Sequence, residues 1–526
     1  MPDLPDVTAA TATRPRSTRP TPLATVADWL GDRLVGPRGE ADTDPSVTGG
    51  TLTGVMLTGV TLSSQRVLPG DLYVALAGAR VHGADFAPAA VEAGAVAVLT
   101  DEAGEGLCAD VGVPVLVVAE PRKVLGALAA RIYGDPAEAL RLVAVTGTQG
   151  KTTTTRLAEA GLQASGVPAA VVGTVGTRID GVELRTTLTT PEAPDLHALF
   201  AVMRERGVRG CAMEVSSHAL VMGRVDGVVF DLAVFTNLGR DHLDFHADVE
   251  DYFAAKAGLF TPERARAGLV NVDDDYGRRL LDAAQIPLKT FSTQGRDADW
   301  SATDLTLEPG GSTFTVGTPA GGHFVARVPL AGDFNVANAL AAIASLAEVG
   351  FDPRRVAEGI ASSAGVPGRL EQVDAGQEFL AVVDYAHKPD AVSAALESLR
   401  PLTKGRLVVV LGAGGERDPG KRPIMGEIAA RLADVLVVTD DNPRGEEPVT
   451  IRAAIVAGAE AVPAEERAEV HVEGDRRAAI RLAVSMAGAG DTVVVAGKGH
   501  ETGQEVAGTV HPFDDRSVLR EELSAR

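Results

Sequence analysis

A glycine-rich turn between an apolar run and a Thr- and Ala-rich segment is the clearest candidate for chemistry in this sequence. The segment reads LVAVTGTQGKTTTTRLAEAGL over residues 142–162. Gly147 and Gly150 let backbone N–H groups approach phosphate oxygens, and a helix beginning at the turn adds its dipole. Lys151 can neutralise phosphate charge, while the hydroxyl of Thr152 can ligate Mg²⁺. The turn is shorter than the common G-x-x-x-x-G-K-[ST] loop, and it predicts nucleotide binding without specifying a reaction.

Two further segments place carboxylates and imidazoles after short apolar runs. Glu214 follows one of these runs in CAMEVSSHAL (211–220). The other segment, FTNLGRDHLDFH (235–246), contains a polar cluster made of Asn237, Asp241, His242, Asp244 and His246. Oxygen ligands beside a phosphate-binding loop are what Mg²⁺-assisted phosphoryl transfer requires. Taken singly, Glu214 or His242 would more often be a capping or surface residue, and the His and Cys spacing does not favour structural zinc.

These residues need a scaffold of buried strands, and the sequence supplies many candidates. Short runs of Val, Ala and Leu alternate with Ala-rich stretches, which predicts an α/β fold. The strand candidates are AVAVL (95–99), PVLVV (114–118), LVAVTG (142–147), LVVVLG (407–412), DVLVVTD (434–440) and TVVVAG (492–497). Each ends near Gly, Thr or Asp, where α/β proteins place ligand-binding loops. Residues 300–328 differ, because their alternating apolar residues among Gly, Ser and Thr predict an antiparallel hairpin.

The composition is that of a globular protein with more than one core. A chain of 526 residues suggests about three domains. The formal net charge of −22 argues against binding to nucleic acid or to anionic membranes, so we expect neither partner. Two distant cysteines, Cys108 and Cys211, permit no disulfide framework, which fits a reducing cytosol. The sequence contains no apolar run of 18 residues, so we do not expect it to insert into a membrane.

Pro and Gly pairs mark the predicted domain boundaries. Residues 1–22 are rich in Pro, Thr and Arg and lack the apolar core of a signal peptide, which predicts a disordered tail. Asp135-Pro136 and the Gly/Pro hinge at residues 365–368 divide the rest into domains covering 23–138, 139–366 and 367–526.

The segments GTQGKTT, MEVSSH and TNLGRDHLDFH, in this order and spacing, resemble the central domain of the Mur ligases. The resemblance runs from about Gly54 to Arg516 and is strongest to members that add the third residue of the muropeptide. It implies a P-loop ATPase-type central domain (139–366) with a mostly parallel sheet, and a Rossmann-like C-terminal domain (367–526) that binds the amino acid. A smaller N-terminal α/β domain (23–138) would bind the UDP-muramoyl substrate.

The resemblance also implies the reaction and most of its residues. We expect a cytoplasmic, monomeric ligase that uses ATP and Mg²⁺ to add meso-diaminopimelate to UDP-MurNAc-L-Ala-D-Glu through an acyl phosphate. The implied catalytic residues are Lys151, Glu214, His242 and Lys256. The implied Mg²⁺ ligands are Thr152, Glu214, His242 and Lys256, the last as a carbamate. Carbamylation would turn an amine that repels metal ions into an anion that attracts them.

Two substrate sites follow from the same resemblance. The implied ATP-binding residues are Gly147, Thr148, Gln149, Gly150, Lys151, Thr152, Thr153, Asn335, Asn338, Arg369 and Asp384. The implied contacts to the UDP-muramoyl-dipeptide are Leu62, Ser64, Ala79, Arg80, Val81, Thr189, Thr190, Ser216, Met222 and Arg224. Met222 departs from the polar residue expected of close relatives, which puts a polar role at that position in doubt.

The string DNPR, residues 441–444, resembles the signature of the members that add meso-diaminopimelate. The implied contacts to that amino acid are Arg417, Asp441, Asn442, Pro443, Arg444, Gly497 and Glu501. Meso-diaminopimelate carries a carboxylate at its far end that lysine lacks, and a guanidinium can bind this group bidentately. A site built around that pair would discriminate strongly against lysine, because the arginine would be left unpaired.

Three alternatives stay open at this stage. The same ligation with L-lysine differs only in the amino-acid site, where Arg444 is the discriminating residue. A folylpolyglutamate-synthetase-like ligase shares the central domain, but it does not account for DNPR or for the N-terminal segment TLSSQRVLPGDLYVAL. A P-loop switch that forms no amide bond would leave the DNPR and GKGHE loops without a task.

Overall fold

In the computed structural model, which describes residues 12–34, 47–48, 52, 54–184, 186–242 and 245–526, Val-rich runs form the buried strands of three large sheets. Alternate residues of one strand face opposite cores, as period-two geometry requires. Val143 and Val145 pack on one side of the central sheet, while Leu142 and Ala144 pack on the other. The predicted α/β class is confirmed.

The N-terminal sheet has the order β2-β7-β6-β5-β4 and is parallel from β4 to β7. Its strands are β2 (Val47–Thr48), β4 (Gly59–Thr61), β5 (Asp71–Val74), β6 (Ala97–Thr100) and β7 (Val115–Val117). A separate antiparallel pair joins β1 (Thr21–Pro22) to β3 (Met56–Leu57). Helices of this region are α1 (Leu23–Leu30), α2 (Ala87–Glu92), α3 (Glu102–Glu105) and α4 (Pro121–Ile132).

The predicted disordered tail over residues 1–22 is wrong for residues 12–22. Residues 1–11 lie outside the described part of the chain. The side chain of Arg14 is buried, and its Nη2 lies 2.7 Å from Oδ2 of Asp71, which is buried as well. The backbone N–H groups of Arg16 and Ser17 donate to the carboxylate of Glu205 at 3.0 and 2.9 Å. The segment is therefore fixed by buried charge pairing and by the central region together.

The central sheet has the order β11-β10-β9-β12-β8-β13-β14-β15-β16-β17-β18 and is parallel from β9 to β16. Its strands are β8 (Arg141–Thr146), β9 (Ala169–Gly173), β10 (Gly176–Ile179), β11 (Val182–Leu184), β12 (Gly210–Glu214), β13 (Leu232–Phe235), β14 (Gly268–Asn271), β15 (Leu288–Ser292), β16 (Trp300–Glu308), β17 (Gly311–Gly317) and β18 (His323–Val328). The antiparallel pairing predicted over residues 300–328 is confirmed, although these strands extend the edge of the central sheet.

Helices cover both faces of the central sheet. They are α5 (Lys151–Ala164), α6 (Ala193–Glu205), α7 (Ser217–Val221), α8 (Val249–Ala257), α9 (Asp275–Ala283), α10 (Asp333–Glu348) and α11 (Pro353–Ala361). Short 3₁₀ turns in the chain cover Gly31–Arg33, Ser64–Arg66, Gly83–Phe86, Gly106–Cys108, Pro136–Ala139 and Arg400–Leu402.

The C-terminal sheet has the order β19-β20-β24-β21-β22-β23 and is parallel except for the β19–β20 pair. Its strands are β19 (Glu371–Gln372), β20 (Leu380–Asp384), β21 (Leu407–Leu411), β22 (Val435–Val438), β23 (Glu469–Val472) and β24 (Thr492–Ala496), and a hairpin follows with β25 (Gly503–Val506) and β26 (Thr509–Pro512). Helices are α12 (Pro389–Leu399), α13 (Lys421–Leu432), α14 (Pro448–Glu460), α15 (Arg476–Met486) and α16 (Asp515–Ser524). Among the described residues, no helix is long and apolar enough to cross a membrane.

Candidate active site

The glycine-rich turn connects β8 to α5 and requires glycine at two positions. Gly147 has a φ of 150°, and a Cβ there would lie 2.0 Å from Oγ1 of Thr236. Gly150 has a φ of 84°, and its Cβ would lie 2.4 Å from Oδ1 of Asn338. The N–H of Gln149 donates to Oδ1 of Asn237 at 2.9 Å, which ties the turn to the loop after β13. The turn is thus a close-packed cradle in front of a helix N-terminus, the geometry that favours phosphate.

Two lysines converge on this turn. Nζ of Lys151 donates to the carbonyls of Gly147 and Thr148 at 2.7 and 3.1 Å. Nζ of Lys256, a residue of α8 that is 1% exposed, donates to the same Gly147 carbonyl at 2.9 Å. Burial lowers the pKa of Lys151 to about 8. Burial, and then the charge of Lys151, lower the pKa of Lys256 well below its ordinary value.

Glu214 ends β12 next to the phosphate-binding strand, where it lies opposite Val145 in the parallel register. Its side chain is buried and accepts hydrogen bonds from the N–H of Thr174 at 2.8 Å and from Oγ1 of Thr174 at 3.0 Å. Because a carboxylate has about four acceptor sites, these bonds orient Glu214 and leave further lone pairs. Thr174, at the end of β9, is a positioning residue that sequence inspection missed, since a lone Thr after a glycine carries no signal.

A second polar group lies on the loop after β13. Oδ2 of Asp241 lies 3.2 Å from Nε2 of His242 and also pairs with Lys388 of the C-terminal region. Burial would raise the pKa of Asp241, but Lys388 and His242 outweigh it and lower that pKa. Burial lowers the pKa of His242 to about 4, so the imidazole is neutral and can act as a ligand. Asp244 lies outside the described residues.

His246 has a different place from its neighbours in the predicted cluster. It is buried, with Nδ1 3.0 Å from Oδ2 of Asp251 and Nε2 2.9 Å from Oγ of Ser217. It therefore ties α7 to α8, whereas His242 is partly exposed.

The asparagines of α10 and the start of the C-terminal region approach the turn from another side. Nδ2 of Asn338 donates to Oδ1 of Asn335 at 3.2 Å, and both residues are buried. Nη2 of Arg369 donates to Oγ1 of Thr152 at 3.1 Å, which links the C-terminal region to the first turn of α5. The guanidinium carbon of Arg369 lies 4.7 Å from the ring centre of Tyr385.

Asp384 is the last residue of β20 in the C-terminal sheet. Its Oδ2 accepts from the N–H of Leu370 at 2.7 Å, and burial raises its pKa. Thr148 and Thr153 are buried at the turn and in the first turn of α5. The structure therefore brings the predicted ATP-binding residues of three chain segments to one edge of the central sheet.

The DNPR loop follows β22 and is strongly restrained. Arg444 has a φ of 52°, and its Nη1 donates to the carbonyl of Gly415 at 2.7 Å. Arg417 is exposed on the neighbouring loop, where its Cγ and Nη1 of Arg444 both approach Gly414. The two arginines predicted to select the amino acid thus both lie close to one glycine.

Lys498 joins the DNPR loop to the GKGHE loop. Its Nζ donates to Oδ1 of Asp441 at 3.1 Å and to Oδ1 of Asn442 at 2.8 Å, although the residue is completely buried. Nδ2 of Asn442 donates to Oε2 of Glu501 at 3.0 Å. Gly497 precedes Lys498 with a φ of 120°. Lys498 escaped prediction from the sequence, since a single lysine in a loop is more often exposed.

The predicted contacts to the UDP-muramoyl-dipeptide fall into two groups. Leu62 and Ser64 are half-buried after β4, while Ala79, Arg80 and Val81 form an exposed loop after β5. Thr190 is fully buried, and its hydroxyl donates to the carbonyl of Glu214 and accepts from the N–H of Ser216. Its present contacts hold the strand end in place.

The remaining members of this set lie around Glu192. Nε of Arg224 donates to Oε1 of Glu192 at 2.8 Å, and Nη2 of Arg224 contacts Sδ of Met222 at 3.5 Å. Oγ1 of Thr189 lies 3.0 Å from Oγ1 of Thr174, the residue that orients Glu214. Thr189 therefore connects this region to the catalytic edge of the central sheet.

Among the described residues, no group of three or more His, Cys, Asp or Glu side chains surrounds a single point in a way that could hold a metal ion. The oxygen atoms of Thr152 and Glu214 at the phosphate-binding edge suit Mg²⁺, which keeps several waters and takes few protein ligands.

Three family models match successive parts of the chain. The Mur ligase family catalytic domain matches residues 56–133, the Mur ligase middle domain 145–346, and the glutamate ligase domain of Mur ligases 368–499.

Full-length relatives give the same assignment. The UDP-N-acetylmuramoyl-L-alanyl-D-glutamate–2,6-diaminopimelate ligase of Streptomyces avermitilis is 55% identical over 97% of this chain and 98% of its own. The enzyme of the same name from Corynebacterium glutamicum is 51% identical over 86% and 89%. A solved structure with that name superposes with a TM-score of 0.63 at 34% identity, covering 89% of this chain and 95% of the other. The chain belongs to the Mur ligase family.

Proposed function

We propose that this chain is the ATP-dependent ligase that joins meso-2,6-diaminopimelate to the D-Glu side-chain carboxylate of UDP-MurNAc-L-Ala-D-Glu in peptidoglycan precursor synthesis. The relatives that carry this name match 97% and 86% of this chain. The observation that carries the choice of amino acid is the restrained position of Arg444. Its guanidinium donates to the carbonyl of Gly415, and its backbone has a positive φ.

The phosphate cradle supports the use of ATP as the phosphoryl donor. The β- and γ-phosphates would lie against the N–H groups of the turn and against Lys151. Burial lowers the pKa of Lys151, and a bound anion would offset the cost of burying its charged form. Arg369, which reaches Thr152 from the C-terminal region, would add a second cation. Thr152, Glu214 and His242 would hold Mg²⁺, which supplies charge neutralisation for phosphoryl transfer.

The environment of Lys256 supports its modification to a carbamate. Its buried amine has a pKa far below the ordinary value, and a neutral amine is the form that reacts with CO₂. The carbamate would place a negative charge near the glycine-rich turn, because the Lys256 side chain already reaches the carbonyl of Gly147. That charge would pair with Lys151 and with bound Mg²⁺.

These positions support a reaction in two steps. The γ-phosphoryl group passes from ATP to the D-Glu carboxylate, giving ADP and an acyl phosphate. The amine of the amino acid then attacks the acyl carbon, and inorganic phosphate leaves. The contacts between Arg369 and Thr152, and between Lys388 and Asp241, bring the C-terminal loops over the phosphate cradle. Such closure keeps water from the acyl phosphate.

The three regions would divide the substrates between them. We assign the UDP-muramoyl part to residues 23–138, ATP to residues 139–366 and the amino acid to residues 367–526. We also propose a cytoplasmic location, since ATP and nucleotide-linked precursors are cytoplasmic substrates. A monomeric state completes the proposal.

The decisive experiment measures phosphate release from ATP and Mg²⁺ with UDP-MurNAc-L-Ala-D-Glu, offering meso-diaminopimelate or L-lysine. We expect release with meso-diaminopimelate only. Arg444→Ala should remove this activity, whereas Arg431→Ala, on the surface of the same region, should not. A preference for L-lysine would reject the role of Arg444 and keep the ligase chemistry. Release that needs no amine would favour a P-loop ATPase without amide formation.

A further inference from the structure

An isolated parallel bridge between Arg444 and Val506 joins the DNPR loop to the hairpin of β25 and β26. The N–H of Arg444 donates to the carbonyl of Glu505 at 3.0 Å, and the N–H of Ala507 donates to the carbonyl of Arg444 at 2.8 Å. These two hydrogen bonds hold the backbone of Arg444 against the hairpin. The far strand of the hairpin faces solvent, since Val510 is 65% exposed.

The same hairpin fixes the residues just before Arg444. The N–H of Glu505 donates to Oδ1 of Asn442 at 3.0 Å, and the side-chain amide of Gln504 donates to the carbonyl of Asp441 at 2.8 Å. Because Oδ1 of Asn442 accepts from the N–H of Glu505 and from Nζ of Lys498, its Nδ2 points to Oε2 of Glu501. The orientation of the amide therefore depends on the hairpin.

The side chain of Glu505 acts on the guanidinium of Arg444. Its Oε2 lies 3.2 Å from Nε of Arg444, while the carbonyl of Gly415 takes one N–H of Nη1. A guanidinium has five N–H donors in a rigid plane. Two contacts on different edges fix that plane and leave Nη2, and the second N–H of Nη1, for another acceptor. Both side chains are only partly exposed, at 23% for Arg444 and 38% for Glu505.

We propose that Glu505 is a positioning residue that increases the affinity for the amino-acid substrate by holding Arg444 in its carboxylate-binding orientation. The proposal rests on the proposed function, since it concerns the same amino-acid site. A fixed guanidinium loses less rotational freedom when it binds a carboxylate, and this lowers the entropic cost of binding. The carboxylate of Glu505 also partly neutralises Arg444 in the absence of substrate, so the empty site does not bury an unpaired cation.

The test compares Glu505→Gln and Glu505→Asp with a matched control, Glu466→Gln. Glu466 pairs with Arg431 on the surface of the same region, through Nη1 and Oε2 at 3.1 Å. We expect Glu505→Gln to raise the KM for meso-diaminopimelate about tenfold, within the coupling range of contacting residues. The kcat, and the KM values for ATP and for UDP-MurNAc-L-Ala-D-Glu, should stay within about twofold. Glu505→Asp, which keeps the charge, should recover part of the loss.

A double-mutant cycle separates positioning from a general structural role. Combined with Arg444→Ala, the Glu505→Gln change should add nothing further, because its only route is through the guanidinium. Independent, multiplying effects would overturn the proposal, as would an unchanged or lowered KM for meso-diaminopimelate in Glu505→Gln. A parallel rise of all three KM values with a lower Tm would also reject it. Failure of the wild-type enzyme to use meso-diaminopimelate would instead reject the proposed function on which it rests.

Discussion

Lys151 and Lys256 share one hydrogen-bond acceptor, the carbonyl oxygen of Gly147, at 2.7 and 2.9 Å. Two buried ammonium groups that share one acceptor would repel each other, and burial together with the charge of Lys151 lowers the pKa of Lys256. The pair therefore favours the neutral form of Lys256, which is the form that reacts with CO₂ in the proposed carbamate.

Substitution of Lys256 should remove activity without removing ATP binding. We expect Lys256→Ala and Lys256→Arg to lower kcat by about a hundredfold or more, the scale of losing one charged group aimed at the reacting phosphate. Arginine does not form the carbamate, so a conserved positive charge should not help. The control is Lys289→Ala, a surface lysine paired with Asp299. Phosphate release in CO₂-depleted buffer, with and without added bicarbonate, checks the modification. Full activity of Lys256→Arg would contradict it.

Gly150→Ala should weaken ATP binding beyond the cost of its backbone conformation. Gly150 and Gly166 have similar φ values of 84° and 76°, but a Cβ at Gly166 meets nothing within 4 Å. Each alanine should therefore cost roughly 1–2 kcal/mol of unfolding free energy from its left-handed conformation. Only Gly150→Ala must displace Asn338 from the cradle. Calorimetric titration with ATP should show at least about a tenfold weaker affinity for Gly150→Ala, a difference of 1.4 kcal/mol or more. Equal affinities of the two variants would reject the steric argument.

Stability should fall in mild acid because of His197, which is fully buried in α6. Its Nε2 lies 3.1 Å from the carbonyl of Asp226, and no partner for Nδ1 is found among the described residues. Burial lowers the pKa of His197 from 6.5 to about 4. Between these values the unfolded chain binds a proton that the folded chain does not. The unfolding free energy should therefore fall as the pH drops from 6.5 towards 4, by roughly 3 kcal/mol at most.

Urea unfolding at pH 7.5 and 5.0 checks this linkage. His197→Gln, which cannot titrate, should show a smaller difference between the two pH values than the wild type. The exposed His323→Gln change serves as the control and should keep the wild-type difference. An identical pH dependence in His197→Gln would show that the other low-pKa histidines account for the acid sensitivity.

Arg14 should contribute to stability although it lies near the start of the chain. Its removal would leave the buried carboxylate of Asp71 without its cation, with the N–H of Leu68 as a remaining donor at 2.9 Å. Breaking a buried ion pair costs about 3–5 kcal/mol. We expect Arg14→Met to lower the Tm clearly in thermal unfolding, and the exposed Arg19→Met to leave it unchanged. A double change with Asp71→Asn should be less harmful than Arg14→Met alone, and an equal loss would contradict the pairing.

The sequence alone was enough wherever the information is local. The strand, turn and helix around Gly147 and Gly150 follow from hydrophobic periodicity and from the freedom of glycine, and both glycines have positive φ. The DNPR loop was recognisable only by its resemblance to a family signature, which is readable because its residues are adjacent in the chain. The antiparallel strands over residues 300–328 were predictable from alternation of polar and apolar residues.

Only the tertiary structure decided what depends on distant segments. Lys256 reaches Gly147 across 109 residues, Glu214 is oriented by Thr174 across 40, and Arg14 pairs with Asp71 across 57. Each of these residues, taken alone, has the sequence neighbourhood of an ordinary surface residue. Their burial results from strand order and helix packing, which local patterns do not encode. For this reason the predicted tail was wrong over residues 12–22, and Lys498 and Glu505 became visible only when the loops they connect lay side by side.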